Sequence, residues 1–154
     1  MIQRIQTIYL LLAGVLSGLF AFMPLLYFST SDGGLFDIYA RGVAAGGSFI
    51  NEVVYLWILA GGATLLPIVN IFLFKNRMAQ VRLCIVNVVL LLGNYLLLGT
   101  YFFMAVGAFK EIGIESRGFH PAVFASLVSI VLVLFAAKAI FRDEMLVRSV
   151  DRIR

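Results

Sequence analysis

Few residues in this chain are of types that do chemistry, and their spacing is poor. One cysteine, Cys84, and one histidine, His120, exclude an internal disulfide framework, a cysteine-based metal cluster and a bis-histidine haem held by a single chain. The acids Asp32, Asp37, Glu111 and Glu115 are the candidates for acid-base work or metal binding, but they are scattered over two connecting segments without a ligand spacing. No catalytic, cofactor-binding or metal-binding residue is assigned on this basis, and no cofactor is expected. What does recur is a polar face: Asn87, Asn94 and Tyr101 follow one another every seven residues, and Asn70 lies on the preceding apolar stretch. Seven residues is close to two helical turns, so the set lies near one side of a helix. Amides in hydrocarbon need partners, and Asn70, Thr64, Ser126 and Ser129 on neighbouring segments are the ones within reach.

The elements that carry these groups read as membrane helices. Of 154 residues 62% are apolar and 13% charged, well outside the range of a soluble domain. Residues 1–154 therefore form a single membrane domain, since the pieces between the apolar runs are too short to bury a core. Four segments supply the roughly 20 apolar residues that cross ~30 Å of hydrocarbon: Ile8–Phe28, Val53–Phe74, Leu83–Phe109 and Pro121–Phe141. The first reads as a retained helix rather than a secretory signal, because only Arg4 precedes it and its apolar run is too long. Lys138 is the one charged residue within the spans, one turn from a boundary, where its stem carries the ammonium out to the headgroups.

Basic residues near span ends set the orientation. Arg4, Lys75, Arg77, Arg82, Lys138, Arg142, Arg148, Arg152 and Arg154 fall on one side, against Arg41, Lys110 and Arg117 on the other. Nine against three puts both termini and the Lys75–Arg82 loop in the cytoplasm, and in a bacterium the protein would sit in the inner membrane. Short connections then predict an all-α, integral membrane four-helix bundle, up-down-up-down. The Ser29–Glu52 connection alone has alternating character, in Phe36-Asp37-Ile38-Tyr39-Ala40-Arg41; with Gly46-Gly47 turning toward Ser48-Phe49-Ile50 it predicts a small ordered outer loop, a possible hairpin, between helices 1 and 2.

Three stretches carry a family resemblance: the opening Met1 to Leu12, the junction Ile71-Phe72-Leu73-Phe74-Lys75-Asn76-Arg77 running into Gln80-Val81-Arg82-Leu83-Cys84, and the ending Arg142-Asp143-Glu144 through Leu146-Val147-Arg148-Ser149 to Asp151-Arg152. In order and spacing the chain resembles, over essentially its whole length, a family of small bacterial four-span proteins described as a domain of unknown function. The resemblance implies an integral membrane protein with cytoplasmic motifs at its start, middle and end, and brings no activity, substrate or cofactor.

Further features are local. Gly14 and Gly18 form a small-xxx-small pair that serves close helix packing, inside the bundle or with another protein. Pro67 leaves the carbonyl of Ala63 without its helical donor and predicts a kink, which Thr64 can relieve locally. Lys75, Arg77 and Arg82 place three cations at the headgroups, where anionic lipid attracts them; Asn76 and Gln80, which accompany them in the family motif, point to a partner. The segment 142–154 reads as a tail helix that continues the fourth span, with Leu146, Val147, Val150 and Ile153 on one face and Glu144, Arg148, Asp151 and Arg152 on the other. Asn51 and Glu52 fit the start of the second helix, and His120 with Pro121 the start of the fourth.

The reading that follows is a non-enzymatic accessory or scaffold subunit acting through helix-helix contacts and its cytoplasmic basic loop and tail. Its partners are anionic headgroups and either another membrane protein or further copies of itself, and nucleic acid is excluded by the small cationic footprint. A small transporter or channel working as a homo-oligomer is the alternative, with the Asn87/Asn94/Tyr101 face lining the path. A lipid-modifying enzyme is third, lacking a cluster of acid, base or nucleophile at one headgroup level.

Overall fold

The computed structural model describes residues 2–31, 33–46, 48–52, 54–74, 76–110 and 113–151. Helix α1 (Ile2–Phe22) stops where Pro24 arrives. A proline has no N–H to give and pushes the residue before it out of the α region, so the last turn closes with the Met23 amide donating to the Leu19 carbonyl at 2.9 Å. The chain continues as β1 (Pro24–Thr30), β2 (Leu35–Tyr39), β3 (Gly42–Ala45) and β4 (Ser48–Glu52), then α2 (Val54–Phe72), α3 (Arg77–Phe109), β5 (Ile114–Phe119) and α4 (Pro121–Asp151).

The strands form one antiparallel sheet in the order β4-β3-β2-β1-β5. The chain is therefore not all-α, and the expectation of an all-α four-helix bundle with a small outer loop is corrected. The physical reason lies in Pro24-Leu25-Leu26-Tyr27-Phe28. An apolar run of that length reads the same whether lipid or protein covers it, and here Leu25, Leu26 and Phe28 are buried by protein in β1. The first span ends at Phe22 instead of Phe28, and Asn51 and Glu52 close β4 instead of opening α2.

Each helix packs antiparallel on two others, α1 and α3 each lying between α2 and α4. The α1–α2 approach is close because Gly14 and Gly18 present no side chain: a Cβ on Gly14 would touch Ile68 at 3.5 Å, and one on Gly18 would touch Thr64 at 3.5 Å. Ser129 ties α4 to α1 by donating to the Ala13 carbonyl at 2.9 Å. Helix lengths are unequal: α3 has 33 residues and α4 has 31, against 21 in α1 and 19 in α2. At 1.5 Å per residue α3 is about 50 Å long, well beyond a hydrocarbon layer of ~30 Å. The sheet packs on that surplus. Phe28 and Phe36 meet Phe109 at 5.5 and 4.8 Å between ring centroids, and Phe119 stacks on Phe102 at 5.6 Å.

Elsewhere the helices are apolar on their outer faces too, with Leu11, Val15, Leu65, Val89, Leu96, Phe103 and Leu134 exposed. All four are long and apolar enough to cross a membrane, which marks a membrane protein. The sheet lies at one end of the helices. At the other end lie Gln6, Asn70, Asn76 and Asp143, and with them the α2–α3 turn.

Candidate functional site

The end opposite the sheet is built on three carboxamides. Asn76 caps α3: its side chain accepts from the Ala79 amide at 3.2 Å, as an N-cap residue does. One turn later Gln80 faces inward, buried, and its Nε2 donates to the Asn70 carbonyl at 2.9 Å. Asn70 returns the bond, its Nδ2 donating to the Gln80 carbonyl at 3.1 Å and reaching Cys84 Sγ at 3.1 Å. This exchange fastens the end of α2 to the start of α3. The amide groups of Asn76 and Gln80 are thus engaged within the chain, while Arg82 is exposed and Arg77 is half-buried in a cleft against α1. Lys75 lies outside the described residues.

On the neighbouring side a second buried pair joins α1 to α4. Gln6 Nε2 donates to Asp143 Oδ2 at 2.8 Å, and both residues are more than nine-tenths buried. Sequence reasoning missed this pair; its only signal is an amide one turn before an apolar run and an acid directly after another. Beyond Asp143 the tail continues α4 to Asp151, with Leu146 and Val147 about half exposed. Ile153 and the side chains of Arg148 and Val150 lie outside the described residues. Between α1 and α4 at this level, Ile5, Tyr9, Phe135, Lys138, Arg142 and Leu146 line a groove of about 480 Å³.

The intramembrane amides part company. Asn70 is held through its Nδ2, while its Oδ1 has no hydrogen-bond partner among the described residues. Asn87 and Asn94 are 2% and 1% exposed, point into the interior of the four helices, and have no hydrogen-bond partner for either amide atom among the described residues. The serines expected to meet them are engaged elsewhere: Ser129 with Ala13, and Ser126 with Val123 and the Tyr95 hydroxyl. Thr64 donates to Ala60 at 2.8 Å, while Ser17 approaches the Ala63 carbonyl, the one Pro67 leaves free, at 3.5 Å. Tyr101 is half-buried and lies with Ala105 against Ile38, Tyr39 and Val43 of the sheet, away from the buried amides.

At the sheet end, the His120 amide donates to the Leu25 carbonyl at 2.8 Å, which clamps the end of β5 to β1. Its ring nitrogen lies 3.4 Å from Asp37 Oδ1, and the Tyr27 ring meets it edge-on at 5.5 Å. Among the described residues no group of three His, Cys, Asp or Glu is placed to hold a metal ion.

No curated protein and no solved structure matches the chain. A family match runs from residue 2 to residue 153, nearly the whole length, and on that match the chain belongs to the family described as Domain of unknown function (DUF4293).

Proposed function

We propose that the protein is a non-enzymatic accessory or scaffold subunit of a bacterial inner membrane, with both termini cytoplasmic and the sheet outside, that docks another membrane protein or a second copy of itself. The observation that carries the reading is the tail. The buried Gln6–Asp143 bond holds α4 against α1, so the residues that follow are presented on a fixed helix. Met145, Leu146 and Val147 stay exposed beside the groove that contains Tyr9 and Phe135. An apolar helix face held rigid beside a groove suits the helix-in-groove mode of recognition, and pre-ordering lowers the entropic cost of binding. Arg77, Arg82, Lys138 and Arg142 supply cations at the same end, in keeping with the nine-to-three asymmetry that supports a cytoplasmic location.

Truncation after Asp143 tests the proposal in native membranes. The shortened protein should stay in the membrane in the same orientation, while the proteins that crosslink to a photoreactive group placed at Tyr9, in the groove, should no longer be recovered. Undiminished recovery of crosslinked partners would sink the tail as the docking element.

A second reading, a small transporter or channel working as a homo-oligomer, draws on one observation: the unpartnered amides of Asn87 and Asn94. Water or a polar solute would satisfy them, and solute flux in liposomes that falls on Asn94→Ala would favour this reading over the first.

A further inference from the structure

Two depressions on the α1–α2 flank share their lining. The first is a cleft of about 230 Å³ at the α2–α3 turn, where Gln6, Thr7, Arg77 and Gln80 provide the polar wall. Among the described residues that line it there is one cation and no acid. The second is a groove of about 540 Å³ with an almost wholly apolar lining of Leu11, Gly14, Val15, Gly18, Ile68 and Phe72. Thr7 and Ile71 belong to both, so the polar cleft opens into the apolar groove. Along α1 the stretch from Thr7 to Gly18 covers about 16 Å, half of a ~30 Å hydrocarbon layer, which is the depth of one leaflet. The groove exists because Gly14 and Gly18 leave the α1 side bare where Thr64 and Ile68 pass.

We infer that this composite depression seats one anionic phospholipid, its phosphate at Arg77 in the cleft and an acyl chain along the Gly14–Gly18 groove. The inference rests on the helices lying in a membrane and stands independently of any docked protein. Charge and depth select the occupant. A guanidinium is suited to phosphate oxygens, and the apolar part begins where the headgroup level ends. Asp143 is not in the cleft lining; its carboxylate accepts from Gln6 and it lines the groove between α1 and α4.

The test uses the full chain in a neutral detergent, with phosphatidylglycerol or phosphatidylcholine added and retained lipid counted by native mass spectrometry. The wild type should retain phosphatidylglycerol in preference, at one lipid per chain. Arg77→Gln should lower that preference about fivefold, the ratio equivalent to about 1 kcal/mol for one cation at an anionic surface. Arg82→Gln, exposed and absent from the cleft lining, should leave it unchanged. Val15→Phe fills the groove from an exposed position and should reduce retention of both lipids alike. Equal retention of the two lipids by the wild type, an Arg82→Gln effect as large as that of Arg77→Gln, or a Val15→Phe variant that retains lipid normally would each overturn the seat. Alkaline extraction reports separately on the premise: release of the wild type from membranes defeats the membrane reading, whereas a retained protein without lipid preference defeats the seat alone.

Discussion

Replacing Asn94 by alanine should make the protein more stable. The Asn94 side chain is 1% exposed and neither of its amide atoms has a partner among the described residues. Holding an unpaired amide in an apolar interior costs about 1–3 kcal/mol. Alanine removes that cost and is the better helix former by up to ~0.7 kcal/mol. Against this, the lost carboxamide leaves a void of roughly the space of one water, about 30 Å³, which at about 24 cal/mol per Å³ costs ~0.7 kcal/mol. The last two terms offset each other, and a net gain of about 1–3 kcal/mol remains from the relieved amide. Titration of the purified protein from mixed micelles into SDS, followed by circular dichroism, measures the difference. Asn87→Ala should act in the same direction, and since two helical turns separate the sites by about 10 Å, the two effects should add. Ser129→Ala is the control of opposite sign, because its hydroxyl does donate to Ala13; it should lose about 0.6 kcal/mol, the average for an interhelical hydrogen bond in a membrane. If Asn94→Ala is instead destabilised by about 1 kcal/mol or more, roughly one hydrogen bond's worth, the amide is satisfied in the membrane by water or solute, and the transporter reading takes precedence.

Two further outcomes are expected. Asn76→Ala removes the α3 cap and should cost about 1 kcal/mol in the same SDS titration, whereas Asn76→Asp keeps the acceptor and should cost little. On a Cys84→Ala background, a membrane-impermeant thiol reagent should label Ser48→Cys in cells with a permeabilised outer barrier and fail to label Ser149→Cys; the reverse pattern refutes the orientation drawn from the basic residues.

Four helices were legible because hydrocarbon demands long apolar runs, and composition alone reveals those. Where each run meets protein instead of lipid was not, because burial by either looks identical in sequence. Pro24 carried the needed signal, since a proline two residues after Phe22 ends a helix, but the apolar residues after it masked that signal. β5 was hidden for a different reason: in Ile114-Glu115-Ser116-Arg117-Gly118-Phe119 the burial pattern does not alternate cleanly, and its pairing partner β1 is separated from it in the chain by three strands and two helices. At the candidate site, charge alone draws attention to Arg77 and Arg82. Asn76 and Gln80 stand beside them in the family motif, and only the closed α2–α3 turn shows that one caps α3 and the other turns its amide to the Asn70 backbone. Gln6 and Asp143 pair across nearly the whole chain, and no local pattern announces a contact of that range.

The placement of β5 beside β1 has a consequence for biogenesis. Leu26 pairs with Phe119 and Phe28 with Arg117, so the sheet is closed by a segment made long after its first four strands. During synthesis β1 to β4 are made with the first two helices, and the edge of β1 stays open until the third helix and residues 114–119 have followed. A strand edge left open is a template for pairing with another chain, and closing so large a loop is slow compared with forming the hairpins. Arrival of β5 thus covers the β1 edge late in assembly and leaves β4 and β5 as the outer strands: a chain stalled before β5 is made carries an open β1 edge that the finished sheet does not.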